Sequence, residues 1–486
     1  MGVVLKQSIN NTLITYLGFG IGAINILFLY TKILPDAYFG LVTFILATSA
    51  IFMPLMTFGV HNTLVKFYSA QKMAEKNGFL TLMLLCPLIT IVPLAILTFI
   101  FYDSLGSFIS KQNAIVKDYV WYIFIIGMAM AYFEVFYAWS KVQLKSVFGN
   151  FMKEVFVRLG VTVLLILVFF ELISLEVFLK ALVGLHLLRT LLMKLSAFKL
   201  YFPKLDFNFP EETKSILVYS LLIILGGSAA LILLEIDKVM INQFEQIENV
   251  AYYGVAVYIA TVIIVPSRAM HQITYPLTAE LLNTNNYFEL ESLYKKTSLT
   301  LLIGSGLIFI LIILNLNDLY LLLPEAYRGG YLIVLLIGMA KVFDSALGNI
   351  NAILFNSKYY RTVLVFGVCL ALATILLNLW LIPLMGIEGA ALASFIAIVL
   401  FNCIKLVFVK LKFGFLPFGK ATFKIIGVLF FLYLLFLYLQ FPFHPVLNIM
   451  IKSAIIVVMY LGILHRFNIS EDISGILAKF IKRRTP

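Results

Sequence analysis

The sequence predicts an all-α polytopic membrane protein with about fourteen transmembrane helices. Of its 486 residues, 62% are apolar and 12% are charged, which is about half the charged fraction of a soluble domain. Stretches of about 20 apolar residues, long enough to cross the ~30 Å hydrocarbon layer as helix, recur from one end to the other. The loops between these stretches are all short, so none can hold a soluble catalytic domain, and we expect a protein that is not an enzyme.

The predicted spans are separated by turn and helix-stopping residues. Examples are "LPDAYFG" after the first span, "NTNNYFELESLYKK" after the eighth and "IPLMGIEG" after the eleventh. The fourteen spans lie at about 11–33, 38–62, 79–101, 119–140, 155–172, 176–194, 215–241, 250–275, 297–317, 329–354, 362–382, 388–409, 422–440 and 446–464.

Lys and Arg residues predict the orientation, because they favour cytoplasmic loops. With both termini in the cytoplasm, the inner segments hold 24 of them, and the outer loops hold only Lys111, Lys117 and Arg328. The net charge of +12 is spread over short loops rather than one continuous face, so no nucleic-acid partner is expected. The N-terminus lacks a cleavable hydrophobic segment ahead of the first span, which we therefore expect to stay as a membrane anchor.

The cysteines give no sign of a metal or redox site. Cys86, Cys369 and Cys403 lie far apart inside apolar segments, without CxxC spacing. They are typical of small core residues. We expect no cofactor and no metal.

A short repeat predicts two related halves. "DAYFG" ends at Gly40 and "VAYYG" ends at Gly254, and each is followed by an apolar helix that reaches a proline, Pro54 or Pro266. Each copy begins the second helix of its half. Six helices separate the copies, and an even number keeps the same orientation, so the repeats would be parallel. Chance similarity between apolar segments is the alternative.

The repeat predicts a domain organisation. Two six-helix lobes would enclose a central cavity, an architecture typical of alternating access. The lobes are predicted at 1–194 and 215–409, joined by a cytoplasmic linker at 195–214. Residues 410–486 would form two additional helices and a basic cytoplasmic tail.

Several stretches, in order along residues 5 to 410, resemble one known family. They are "YTKILPDAYFGLVTFILATSAIFMPLMTFGVHNTLVKFYS", "LEIDKVMINQF", "VAYYGVAVYIA", "LLPEAYRGGYLIVLLIGMAKVF" and "NLWLIPLMGIEGAALAS". The chain resembles the polysaccharide (O-antigen type) flippases. These belong to the MOP (multidrug/oligosaccharidyl-lipid/polysaccharide) superfamily, which also holds MATE multidrug exporters and lipid II flippases.

The resemblance implies a transporter in the bacterial inner membrane. Its substrate would be a polyprenyl-pyrophosphate-linked oligosaccharide, flipped by alternating access for surface polysaccharide assembly. It implies contact with membrane lipid, H⁺ or Na⁺ as a coupling ion, and a polysaccharide polymerase as a further partner.

Three alternatives stay open. A lipid II flippase would carry basic residues in its first helix, whereas this chain has none there before Lys32. A MATE-like drug exporter would have carboxylates dominating its cavity, whereas cations are at least as numerous here. A membrane-embedded acyltransferase or polymerase would need a catalytic His beside an acid or a large outer loop.

Charged residues inside the predicted spans are the candidate site, because such charges are costly in hydrocarbon and mark functional positions or ion pairs. The candidate substrate-binding cations are Arg158, Arg189, Lys238, Arg268 and Lys341. Snorkelling to the headgroup region is the alternative for the arginines.

The candidate ion-coupling or cavity acids are Glu134, Glu235, Asp237 and Asp344. In "LLEIDKVMIN", Glu235 and Lys238 stand at i, i+3, so they can pair along one face while Asp237 points elsewhere. The same spacing predicts that Lys341 pairs with Asp344. For each pair the alternative to a functional role is a structural ion pair.

Overall fold

The fold is known from a computed structural model that describes residues 2–72, 75–467 and 469, and every regular element in this part of the chain is helical. For residues 2–6, 8, 9, 225–230, 269, 272, 360 and 363 it describes the backbone alone. The predicted all-α class is confirmed.

Twenty α-helices are described. Helices α1 to α10 are Gly2–Ile24, Tyr30–Ile33, Asp36–Thr57, Val60–Phe67, Lys76–Leu85, Leu88–Ile100, Tyr102–Ile109, Val120–Val142, Val147–Phe151 and Val157–Phe169. Helices α11 to α20 are Leu175–Leu200, Thr213–Phe244, Ile247–Thr261, Val265–Asn283, Tyr287–Leu321, Tyr331–Ala346, Ile350–Asn356, Tyr360–Phe413, Lys420–Phe436 and Pro445–Arg466.

Each predicted span falls on one or more of these helices. Eight helices of the described chain are long and apolar enough to cross a membrane, or nine if α16 and α17, bent by 58°, form one span. The count of fourteen crossings stays a prediction.

Breaks inside the helices occur where the backbone demands them. At Gly386, in the "IPLMGIEG" separator, φ is 59° and ψ is −137°, which interrupts α18 between the eleventh and twelfth predicted spans. Only glycine adopts such angles without a steric cost. The eighth predicted span breaks at a 3₁₀ turn, Val262–Ile264, directly before Pro266, because proline cannot donate the usual helix hydrogen bond.

The helices group into two compact units. The first contains residues 1–254 together with 367–390, and the second contains 255–366 together with 391–486, within the described residues. The first unit therefore includes α12, which the sequence assigns to the C-terminal lobe. The predicted lobe boundaries and the chamber between the lobes stay predictions.

The core of the first unit is aromatic and aliphatic. Its largest fully buried side chains include Trp139, Phe133 and Phe79, which pack into one cluster built mainly from α4, α5, α8 and α11. In the second unit, buried residues of α15, α19 and α20 form a cluster of their own. The two additional helices are thus packed on α15 rather than loosely attached.

The two copies of the repeat contact each other inside the first unit. Tyr252, in the second copy, donates a hydrogen bond of 2.8 Å to Asp36, which begins the first copy. Gly40 lies so close to the backbone of Ile247 that a Cβ there would overlap its carbonyl oxygen. Small residues permit such close helix approach in membranes. At Gly254 a Cβ would lie 3.3 Å from Thr43 Cγ2, a far milder contact.

The repeat glycines should therefore differ in their tolerance of alanine. Gly40→Ala is expected to lower the free energy of unfolding by about 1–3 kcal/mol, because the backbone must move to relieve the overlap. Gly254→Ala, the matched control, should change stability by well under half as much. Thermal unfolding of the purified variants in detergent measures both. Equal effects would show that the close contact at Gly40 does not limit the packing of the first unit.

Candidate functional site: charged clusters inside each unit

The first unit holds a charged cluster between α4, α8 and the turn before α10. Lys153 Nζ lies 2.6 Å from Glu134 Oε1, and the Glu134 side chain is 12% exposed whereas that of Lys153 is 44% exposed. Glu134, Lys141 and Lys153 all act electrostatically on the imidazole of His61. We call His61, Glu134, Lys141 and Lys153 the basic cluster. With two cations and one carboxylate, it keeps a net positive charge when His61 is neutral.

Local backbone geometry positions the basic cluster. Lys153 lies on a π-helical turn, Met152–Phe156, and such turns are frequent at functional sites because they redirect side chains. Gly149, one turn earlier, lies against the ring of Tyr137, where a Cβ would overlap that ring. The same ring carries Lys141 Nζ at 4.0 Å from its centroid. The missing side chain at Gly149 thus lets the turn approach α8.

Arg158 is anchored beside this cluster. Its guanidinium lies 2.9 Å from Glu154 Oε2, four residues earlier. The backbone carbonyl of Arg158 accepts a hydrogen bond of 2.8 Å from Asn25, and Thr162 donates to Asn25 at 2.7 Å. Asn25 is buried and opens a π-helical turn, Asn25–Leu29. Arg158 is half-buried. Because it pairs with Glu154, the two side chains together add no net charge.

Arg189 is buried rather than extended toward the headgroups. Its side chain is 7% exposed, and its guanidinium carbon lies 4.2 Å from the centroid of the Phe133 ring. The Nε atom has no hydrogen-bond partner among the described residues, and neither ring nitrogen of buried His186 has one. Burial removes the hydration of the guanidinium cation, and stacking on the face of an aromatic ring replaces part of that stabilisation.

Asp237 and its neighbours resolve into two separate arrangements. Lys238 Nζ lies 2.6 Å from Glu235 Oε2, as the i, i+3 spacing predicts. Asp237 is 5% exposed and accepts hydrogen bonds from Asn378, at 2.9 Å, and from the Tyr253 hydroxyl. Both of these hydrogen-bond donors are uncharged side chains.

In the second unit, Asp344 has a partner that the sequence reading missed. The predicted partner was Lys341, but Asp344 lies 3.8 Å from Lys405 Nζ, on α18, and accepts a hydrogen bond from Asn402. Lys405 is 2% exposed and also donates to Asn351 at 3.2 Å. The predicted pairing of Lys341 with Asp344 stays a prediction, because a carboxylate can interact with more than one cation.

The remaining candidates of the second unit surround this pair at greater exposure. Arg268 is exposed and Lys341 is half-buried. His271 responds to the charges of both Asp344 and Lys405, so it lies near the pair. Ser267, next to Arg268, shares a hydrogen bond of 3.0 Å with Ser345, next to Asp344. Arg268 and Asp344 thus lie on helix segments that are in contact.

Three lysines of these charged clusters, Lys405, Lys141 and Lys153, are not among the site residues predicted from the sequence. Lys405 stands alone in an apolar span three residues after Asn402, and that polar i, i+3 pair was the available signal. Lys141 and Lys153 were assigned to a cytoplasmic loop, because a loop lysine and a lysine that reaches back to Glu134 look alike in sequence. Among the described residues, no group of three or more His, Cys, Asp or Glu side chains is placed to hold a metal ion.

Solved structures with this fold are membrane transporters. A lipid II flippase, MurJ in an inward closed conformation, matches with a TM-score of 0.69 and 16% identity, over 95% of this chain and 100% of that one. An inward-facing MATE multidrug resistance transporter matches with a TM-score of 0.61 and 14% identity, over 85% and 96%.

A MOP superfamily transporter from Pyrococcus furiosus also matches, with a TM-score of 0.59 and 15% identity, over 85% of this chain and 95% of that one. At these identities the likeness establishes the fold alone. The class is therefore a multi-pass membrane protein with the MOP transporter fold.

The sequence assigns the family. The sequence model of the family described as "Polysaccharide biosynthesis protein" matches residues 4–282, more than half of the chain, and the protein belongs to that family. No curated protein sequence matches the chain significantly. The predicted family is thus confirmed.

Unequal burial in the Glu134–Lys153 pair predicts unequal effects of removing each partner. Lys153→Gln leaves a largely buried carboxylate without its ion partner and is expected to destabilise by about 1–3 kcal/mol. Glu134→Gln leaves a lysine that reaches solvent and should cost less. Glu75→Gln, which breaks an exposed pair with Lys72, is the control and should change little. Thermal unfolding checks the order, and an inverted order would contradict the burial argument.

Proposed function

We propose that the protein flips a polyprenyl-pyrophosphate-linked oligosaccharide across the bacterial inner membrane by alternating access, as a step of surface polysaccharide assembly. Membership of the polysaccharide biosynthesis protein family, together with the transporter fold, supports this proposal. The observation that carries the substrate class is the net positive charge of the basic cluster.

The substrate has three parts with different physical needs. A pyrophosphate is a compact anion that requires cations in a water-accessible site, since an unpaired charge in hydrocarbon is very costly. Lys141 and Lys153 are proposed to contact it, because neither is fully buried and Glu134 cancels only one of their charges. Sugars need polar and aromatic walls, and the isoprenoid tail can remain in lipid.

The other cations take supporting roles in the proposal. Arg268 and Lys341 are proposed as the substrate contacts of the second unit, because both are at least partly exposed, whereas Lys405 is buried. Arg158 and Lys238, each in an ion pair, and buried Arg189 are proposed to hold their helices in place. A pair can also open during transport, so their contact with substrate remains part of the hypothesis.

Asp237 is the proposed coupling acid, with H⁺ or Na⁺ as the ion. Its carboxyl group is buried and accepts hydrogen bonds from Tyr253 on α13 and Asn378 on α18, so a proton or a cation taken up there would act on the contacts of three helices. Glu235, Glu134 and Asp344 each lie within 4 Å of a lysine, and a coupling role for one of them is the alternative.

Removing one substrate-facing cation should lower transport. Lys141→Gln, Arg268→Ala and Lys341→Ala are each expected to reduce surface polysaccharide about tenfold or more, as the loss of a charge-assisted hydrogen bond predicts. Lys145→Gln is the control, because Lys145 is exposed and lies in the connection that follows α8, near Lys141 in the sequence. Surface polysaccharide is measured in cells at matched protein abundance. Normal polysaccharide in all three variants would refute the anion role.

Neutralising Asp237 should uncouple transport while keeping the fold. Asp237→Asn preserves the size of the side chain and an oxygen that accepts from Asn378, so protein abundance should stay near normal. Surface polysaccharide is expected to fall at least tenfold. Glu235→Gln, the control on the same helix, should retain most of the activity. Normal polysaccharide with Asp237→Asn would exclude Asp237 as the coupling acid.

Lipid II is the second candidate substrate, favoured by the structural likeness to a lipid II flippase. Supplying the chain to bacteria depleted of their own lipid II flippase separates the two proposals. Rescue of growth would favour lipid II, whereas restored surface polysaccharide in a strain lacking its polysaccharide flippase, without that rescue, supports the oligosaccharide.

A further inference from the structure

The second unit contains a polar pocket where the two additional helices meet α15. The pocket has a volume of about 340 Å³ and lies between the end of α15, the start of α16, and the connection from α19 to α20. Its polar lining residues are Asn317, Asp318, Tyr331, Gln440, Asn448 and Lys452. The charged clusters of the two units share no residue with it.

Two of these side chains are built into the pocket wall. Lys452 is 4% exposed and Asn448 is 7% exposed, and they lie on the first two turns of α20. Burying an ammonium group at this depth is costly unless other groups replace its hydration. The pocket therefore contains polar groups that are buried in the packed structure, and it is more than a groove in the surface.

Hydrogen bonds within the protein leave specific capacity unused. Lys452 Nζ donates to the Leu314 carbonyl at 2.7 Å, which occupies one of the three donors of an ammonium group. Asn448 Nδ2 donates to Asp318 Oδ1 at 3.2 Å and to the Phe441 carbonyl at 2.9 Å. Asn448 Oδ1 is buried without a partner among the described residues.

Asp318 and Lys452 attract each other electrostatically, and the pocket still presents two kinds of unused hydrogen-bonding capacity. Asp318 and Asn448 Oδ1 offer acceptors that suit a cation with N–H donors. Lys452 offers donors and a positive charge that suit an anion. A molecule that satisfies both must carry an ammonium and an acid group a few atoms apart.

We propose that this pocket binds the headgroup of a phosphoethanolamine lipid. The phosphate oxygens accept hydrogen bonds from Lys452, and the primary ammonium donates to Asp318 and Asn448 Oδ1. Two apolar lining residues are exposed, Leu321 at 56% and Phe443 at 50%, and they give the acyl chains an apolar path. The bound lipid joins α15 to α20, and its binding does not depend on which substrate is transported.

The chemistry separates this headgroup from its common relatives. A choline headgroup has no N–H to donate to Asn448 Oδ1, and a glycerol headgroup has no cation for Asp318. Free phosphoethanolamine has the same polar groups but lacks the chains that contact the rim.

Native mass spectrometry of the delipidated full-length protein tests the proposal. Short-chain phosphatidylethanolamine is expected to bind at least tenfold more tightly than phosphatidylcholine, phosphatidylglycerol or free phosphoethanolamine, the ratio expected for one charge-assisted hydrogen bond or for the buried chains. Equal affinity for the three lipids would overturn the headgroup assignment. Equal affinity for free phosphoethanolamine would overturn the lipid assignment.

A pair of variants tests the residues. Asp318→Asn is expected to reduce the preference for phosphatidylethanolamine over phosphatidylglycerol about tenfold, because the carboxylate that attracts the ammonium is gone. Asp118→Asn, at an exposed acidic residue of the first unit, should leave the preference unchanged. A full preference in Asp318→Asn would overturn the proposed contact. If that variant unfolds, the comparison of lipids on the unsubstituted protein decides alone.

Discussion

A charged side chain within an apolar helix bundle must find its partner inside the bundle, and this requirement shapes both units. Glu134 is met by Lys153 from a π-helical turn, Asp344 is met by Lys405 from another helix, and Glu235 is met by Lys238 on the same helix. Asp237 instead receives hydrogen bonds from Tyr253 and Asn378. The contacts that join different helices position them more specifically than apolar contacts alone would, because lipid and apolar side chains are similar environments.

The proposed function depends on two features, the net positive charge of the basic cluster and the buried carboxyl group of Asp237. In the basic cluster two lysines oppose one carboxylate, so the cluster keeps the positive charge on which the proposed anion contact depends. Asp237 keeps a carboxyl group whose two identified hydrogen-bond donors are neutral, which suits it to reversible loading.

Backbone features set the precision of these sites. Without a Cβ, Gly149 lets the turn that carries Lys153 reach Tyr137, and Gly40 lets the first repeat copy approach the backbone of Ile247. The π-helical turn Asn25–Leu29 places Asn25 against the backbone carbonyl of Arg158. The π-helical turn Met152–Phe156 places Lys153 against Glu134. The repeat, visible in the sequence as two similar pentapeptides, is visible in the fold as two segments joined by Tyr252 and Asp36.

Composition and local spacing alone determined the class of this protein. Apolar runs of membrane length require helices because hydrocarbon leaves the backbone no other hydrogen-bond partners, and the i, i+3 spacing of Glu235 and Lys238 was enough to predict their contact. Only the tertiary structure decided the partner of Asp344, the burial of Lys405 and the place of Lys153. These depend on which helices lie side by side, and no spacing along one helix encodes that. The polar pocket at Lys452 has the same origin, since its groups come from α15, α16 and α20 and become a site only where those helices pack.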